Sequence, residues 1–174
     1  MYGSFLSGGL GGHVHGAEGI WGAGIEPVAP IKMWGASQWN SAAQMRHLRT
    51  FAFSIGPRFQ DLVRNAGLFS PNKAAEILSY EGWAYAARTP DKNIFLAYFE
   101  KGCRRSQIRG ARLNGIYRAK WFDPSNGAWQ DAGAGTLQSS VIGILRLPDF
   151  PADAGWGLQF TYEGPAPPNQ SRTR

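Results

Sequence analysis

The chain has 174 residues, 43% of them hydrophobic and 13% aromatic, with a formal net charge of +6. At roughly 150 residues per domain this is one domain or one domain with an appendage, too short for a complete (β/α)8 barrel and too apolar for disorder over most of its length. Twenty-three Gly and eleven Pro against 17% charged residues argue for turns and short strands rather than a helical bundle, and one cysteine excludes an intrachain disulfide or a cysteine zinc cluster.

The N-terminal residues Met1 to Leu10 lack a basic n-region followed by an apolar h-region, so no signal peptide is expected, and no apolar run is long enough to span a membrane. A short strand is expected at residues 2–6. Residues 8–24 then hold glycine at 8, 9, 11, 12, 16, 19, 22 and 24, too many for a regular element, so this segment reads as a shaped loop. From Asn40 or Ser41, apolar residues Met45, Leu48, Ala52, Ile55, Phe59 and Leu62 recur at spacings of three and four, which predicts an amphipathic helix. Gly56-Pro57 must kink it, because Pro57 has no amide proton and disfavours helical geometry at Gly56, giving helical pieces at 41–54 and 57–64.

Beyond residues 68–72 the chain reads as strand after strand: 75–79, 82–88, 93–99, 106–109, 115–122, 128–132, 136–147 and 157–162. Turns with a clear chemistry separate them, including Thr89-Pro-Asp-Lys-Asn93 and Asp123-Pro-Ser-Asn-Gly127, where Asp caps, Pro fixes φ and Gly or Asn accepts positive φ. The expected fold is mainly β: a C-terminal antiparallel β-sandwich preceded by a Gly-rich loop and a kinked amphipathic helix. Residues 165–174, with Pro165, Pro167 and Pro168, have too little apolar content to fold.

The richest chemistry lies in the loop. His13 and His15 alternate on one face if extended, with Glu18 and Trp21 close by, so these four can line a sugar pocket, the polar groups meeting hydroxyls and the indole a pyranose face. The alternative is that the histidines satisfy backbone groups in a tight loop; as metal ligands, two His and one Glu fall short of a zinc set. No nucleophile elbow, phosphate loop or zinc helix is present, and neither a cofactor nor a metal is expected. Cys103 stands beside Arg104 and Arg105, a basic setting expected to lower its pKa. The basic residues Arg104, Arg105, Arg109, Arg112, Arg118 and Lys120 show no helical periodicity and read as a solvated sheet edge protected by charge; a nucleic-acid partner is disfavoured.

Taken together, the loop Gly8 to Trp21, the helix around Gln44-Met-Arg-His-Leu-Arg49, and Tyr117-Arg-Ala-Lys-Trp-Phe-Asp-Pro-Ser-Asn-Gly127 with Trp156-Gly-Leu158 resemble the C-terminal end of the apiosidase-like glycoside hydrolases. In that family a catalytic barrel is followed by a β-sandwich labelled the collagen-binding domain of a collagenase. The resemblance implies that residues 1–70 are the last strand, loop and helix of a (β/α)8 barrel, that 71–164 are the sandwich, and that His13, His15, Glu18 and Trp21 face a sugar site. His15 stands where the family more usually has Tyr, and Gly155 where it tends to place Asp.

The family's two catalytic carboxylates come from earlier barrel strands, which neither Glu18 nor Glu26 matches, so the resemblance implies a fragment of a carbohydrate-active enzyme that is inactive alone. Its partners would be a glycan or polysaccharide and a missing barrel chain, not a membrane, and its parent would be secreted or periplasmic. The competing reading is a stand-alone module whose basic sheet face grips an anionic polymer, nucleic acid or acidic polysaccharide.

Overall fold

The computed structural model describes residues 1–8, 25, 31–70 and 80–167. Among these, three short α-helices come first: α1 (Tyr2–Leu6), α2 (Met33–Ala36) and α3 (Asn40–Ala52). A 3₁₀ stretch, Phe53–Asp61, continues α3 across a kink. Nine strands follow: β1 (Val63–Arg64), β2 (Phe69–Ser70), β3 (Ala84–Arg88), β4 (Ile94–Phe99), β5 (Gln107–Ile108), β6 (Gly115–Phe122), β7 (Trp129–Gln138), β8 (Leu145–Arg146) and β9 (Trp156–Pro165). They form two antiparallel sheets, of order β1-β3-β4-β9-β6-β7 and β2-β5-β8.

The large sheet is covered on both faces, which explains the uninterrupted apolar run Ile94-Phe-Leu-Ala-Tyr-Phe99 of β4: every residue of it is buried. Alternation divides the run between two cores. Phe95, Ala97 and Phe99 face the small sheet, packing with Phe69, Ile108, Leu145 and Leu147. Ile94, Leu96 and Tyr98 face the helices, packing with Tyr2, Phe5, Leu6, Leu48, Phe51 and Ile55. The mainly β, antiparallel, sandwich-like architecture expected from the sequence is therefore present, with a helical layer as a third sheet of packing.

The kink falls where Gly56-Pro57 demanded it. Gly56 has φ +59°, a left-handed conformation open to glycine, and Ile55 also leaves helical geometry. The second piece is 3₁₀ rather than α and ends at Asp61; Val63 and Arg64, expected as its last turn, instead pair with Arg88 and Ala87 as β1.

Two further expectations are corrected. Residues 2–6 form a helix, not a strand, because Tyr2, Phe5 and Leu6 recur at spacings of three and four and bury one face, while a strand would have put exposed Ser4 on the same side as Tyr2 and Leu6. The separate strands expected at 128–132 and in the first part of 136–147 are one strand, β7, carried through an irregularity. Opposite β6 the register jumps from Arg118↔Thr136 to Lys120↔Asp131, and the extra residues are accommodated by Gly133 and Gly135 at φ +62° and +79°.

Candidate functional site

The loop residues His13, His15, Glu18 and Trp21, and with them Glu26, lie outside the described residues. What the structure does describe is a cleft of about 540 Å³ where α1, α3 and the ends of β4, β6 and β9 converge, lined among others by Tyr2, Gln44, Tyr98, Glu100, Asp123 and Trp156. These side chains come from α1, α3 and the ends of β4, β6 and β9, with Tyr98 and Glu100 both from the end of β4. Tyr2 stacks on Tyr98 at 4.7 Å between ring centroids and meets Phe51 edge-on at 5.5 Å, so the aromatic wall is one end of the helix-facing core. The indole of Trp156 donates to the Ala152 carbonyl at 3.1 Å, which fixes the opposite rim.

The polar groups of the cleft differ in what they have left to offer. Asp123 is committed to its turn: one carboxylate oxygen accepts from the Ser125 amide at 2.8 Å and the Ser125 hydroxyl at 2.6 Å, the other from the Asn126 side-chain amide at 2.9 Å. The turn is clamped to α3 by the His47 ring, 3.1 Å from the Pro124 carbonyl. Glu100 is half-buried, and burial raises its pKa against the opposing pull of the N-terminal ammonium and the Tyr98 hydroxyl. The Tyr2 and Tyr98 hydroxyls are pushed up by burial, with the negative charges of Asp123 and Glu100 respectively adding to it. Tyr2 is only 7% exposed and its hydroxyl is buried with no hydrogen-bond partner.

Hydrolysis of a glycosidic bond needs one carboxylic acid and one carboxylate ready to act as base or nucleophile across the scissile bond. Burial raises the pKa of Glu100, and Asp123, with both oxygens occupied by its own turn, is poorly placed to act as base or nucleophile. Among the described residues no group of three or more His, Cys, Asp or Glu could hold a metal ion.

Sequence reasoning missed this cleft, although it named Asp123 and Trp156 as parts of strand and turn signatures. Only the packing of α1 onto β4 joins them to Tyr2 and Glu100. Cys103 is also corrected: rather than being lowered by Arg104 and Arg105, its thiol is pushed up to about 11 by burial. The Arg105 guanidinium points instead to the Leu147 carbonyl at 2.7 Å and to Asp149 at 2.6 Å.

No family model matches the sequence, and no curated protein matches it. The fold does have solved counterparts, two glycoside hydrolases among them. One, described as a glycoside hydrolase, superposes with a TM-score of 0.65 at 16% identity, covering 86% of this chain and 33% of that one. Another, a glycoside hydrolase of family 5 from Bacteroides vulgatus ATCC 8482, gives a TM-score of 0.54 at 18% identity, covering 75% of this chain and 26% of that one. The chain thus has a glycoside hydrolase-related fold and spans about a third and about a quarter of the lengths of these structures.

Proposed function

We propose that this chain is the C-terminal accessory portion of a carbohydrate-active enzyme of the glycoside hydrolase kind, a β-sandwich with the helices that cover it, and that the hydrolytic carboxylates are supplied from outside it. The observation that carries this reading is the asymmetry of coverage. The likeness extends over 86% of this chain, more than the segment from β1 to β9 can account for, yet takes in only 33% of the glycoside hydrolase it matches. On this reading, helices and sandwich together are a minor part of a larger enzyme. The loop of His13, His15, Glu18 and Trp21 would face the sugar of that enzyme, and the collagen-binding label of the resembled sandwich is taken as a name only.

The test is co-expression. The isolated chain should give no turnover of a panel of aryl glycosides, whereas co-expression with a barrel encoded beside it should give a complex by size-exclusion chromatography and measurable hydrolysis. Turnover by the chain alone, abolished by Glu18→Gln or Glu100→Gln, would overturn the reading.

A further inference from the structure

The outer face of the three-stranded sheet carries a second depression, of about 350 Å³, lined by Ser70, Arg105, Ser106, Gln107 and Arg146. Strand geometry explains its composition. Phe69, Ile108 and Leu145 point inward and are buried, so their neighbours Ser70, Gln107 and Arg146 face outward, and the register sets these three in one row: Ser70 opposite Gln107, Gln107 opposite Arg146. Arg105 and Arg109 flank β5, Arg105 lining the depression and Arg109 reaching Ser70 of β2. The Arg109 guanidinium donates to the Ser70 hydroxyl at 2.9 Å, which draws it across this face.

Arg105 and Arg109 are therefore not guarding a sheet edge. They flank β5, the central strand of its sheet between β2 and β8, and with Arg146 of β8 they form a platform. Among the described residues, three guanidinium groups, of Arg105, Arg109 and Arg146, stand here against the carboxylate of Asp149, which engages Arg105 at 2.6 Å. Ser106, 8% exposed, lines the same depression, and its buried hydroxyl has no hydrogen-bond partner.

From this arrangement we infer that the outer face of β2-β5-β8 binds a carboxylate-bearing glycan, its carboxylate on Arg109 and Arg146 and its hydroxyls on Ser70 and Gln107. Guanidinium groups pair with a carboxylate through two parallel hydrogen bonds, and a serine hydroxyl and glutamine amide both donate and accept, as sugar hydroxyls require. Nucleic acid fits less well. The row offers no aromatic ring for base stacking, and at about 4.8 Å between strands and 3.4 Å per residue it is too small for the roughly 6–10 phosphate contacts of a duplex binder. The choice of a glycan rests on the glycoside hydrolase reading above; the anionic character of the ligand rests on the platform alone.

The test is binding of the whole chain to a defined oligogalacturonate, to its methyl ester and to a short DNA duplex, by calorimetry at low ionic strength. The acid form should bind, the ester about tenfold more weakly or worse, and Arg109→Ala with Arg146→Ala should cost about tenfold or more. The control Arg118→Ala with Lys120→Ala, which removes the same charge from the large sheet, should leave binding unchanged, with thermal midpoints verifying that both proteins fold. The inference is overturned by no binding of the acid form, by equal binding of the ester, by equal loss in the control, or by duplex DNA binding as tightly. None of these outcomes bears on the co-expression result, so the two readings fail separately.

Discussion

The Phe51 ring of α3 lies directly over Gly157 of β9, so close that a Cβ there would come within 2.7 Å of Cε2 and within 3.1 Å of the Phe122 Cβ. Phe51 and Gly157 thus set the distance between the helical layer and the middle of the large sheet. Gly157→Ala is expected to destabilise the fold by about 1–3 kcal/mol, the usual cost of overpacking a filled core. Urea denaturation should show a lower midpoint with unchanged slope, and Phe51→Leu in the same chain should recover part of the loss.

Asp91 organises the turn between β3 and β4. Its carboxylate accepts from the Thr89 hydroxyl at 2.5 Å, the Asn93 side-chain amide at 2.9 Å and Arg58 at 2.8 Å, and these partners, Thr89 foremost, hold it well below the usual carboxylate range. A depressed pKa contributes stability that is present above the unfolded value, near 4, and is lost as pH falls through the folded one. Asp91→Ala should therefore cost about 1–2 kcal/mol at pH 7, with the gap to the parent protein closing in thermal scans taken toward pH 2.

Glu100 has the opposite sign. Burial raises its pKa, so the native state disfavours the charged form; the associated stability is complete below the unfolded pKa and is lost as pH rises through the folded one. Glu100→Gln should raise the thermal midpoint at pH 7 and lose that advantage at about pH 4, where the parent carboxyl is protonated. A variant less stable at pH 7 would show that the Tyr98 and N-terminal contacts outweigh burial.

Cys103 is expected to be a slow nucleophile. With its thiol pushed up to about 11, alkylation by iodoacetamide at pH 8 should lag far behind free cysteine, and the rate should keep climbing beyond pH 10. A plateau near pH 8 would mean that the thiol is not held in the buried position described.

Much of the sandwich is written locally. β6 runs over the residues that its alternation marks, 115–122, and the kink at Gly56-Pro57 follows from the missing amide of proline alone. What escaped the sequence depends on partners distant in the chain. Residues 2–6 are too few for their period to be decisive until Tyr85 and Tyr98 are seen beneath them. β7 passes Gly133 and Gly135 only because Arg118 to Lys120 of β6 tolerate the bulge opposite. The cleft is harder still: Tyr2, Glu100, Asp123 and Trp156 line it together although more than a hundred residues separate the first from the last. By contrast, Arg105, Gln107 and Arg109 carry a visible period of two, the period of a strand face rather than of a helix.

The burial of β4 on both sides has a consequence for how the protein can be divided. A sandwich produced without α1 and α3 would present Leu96, Tyr98 and Phe122, with Ile94 beside them, as a continuous aromatic and aliphatic plane facing water. Such a flat surface on a sheet is an invitation to self-association. The helices therefore act as a lid of solubility for the sandwich, and a soluble excised version would need that plane rewritten in polar residues.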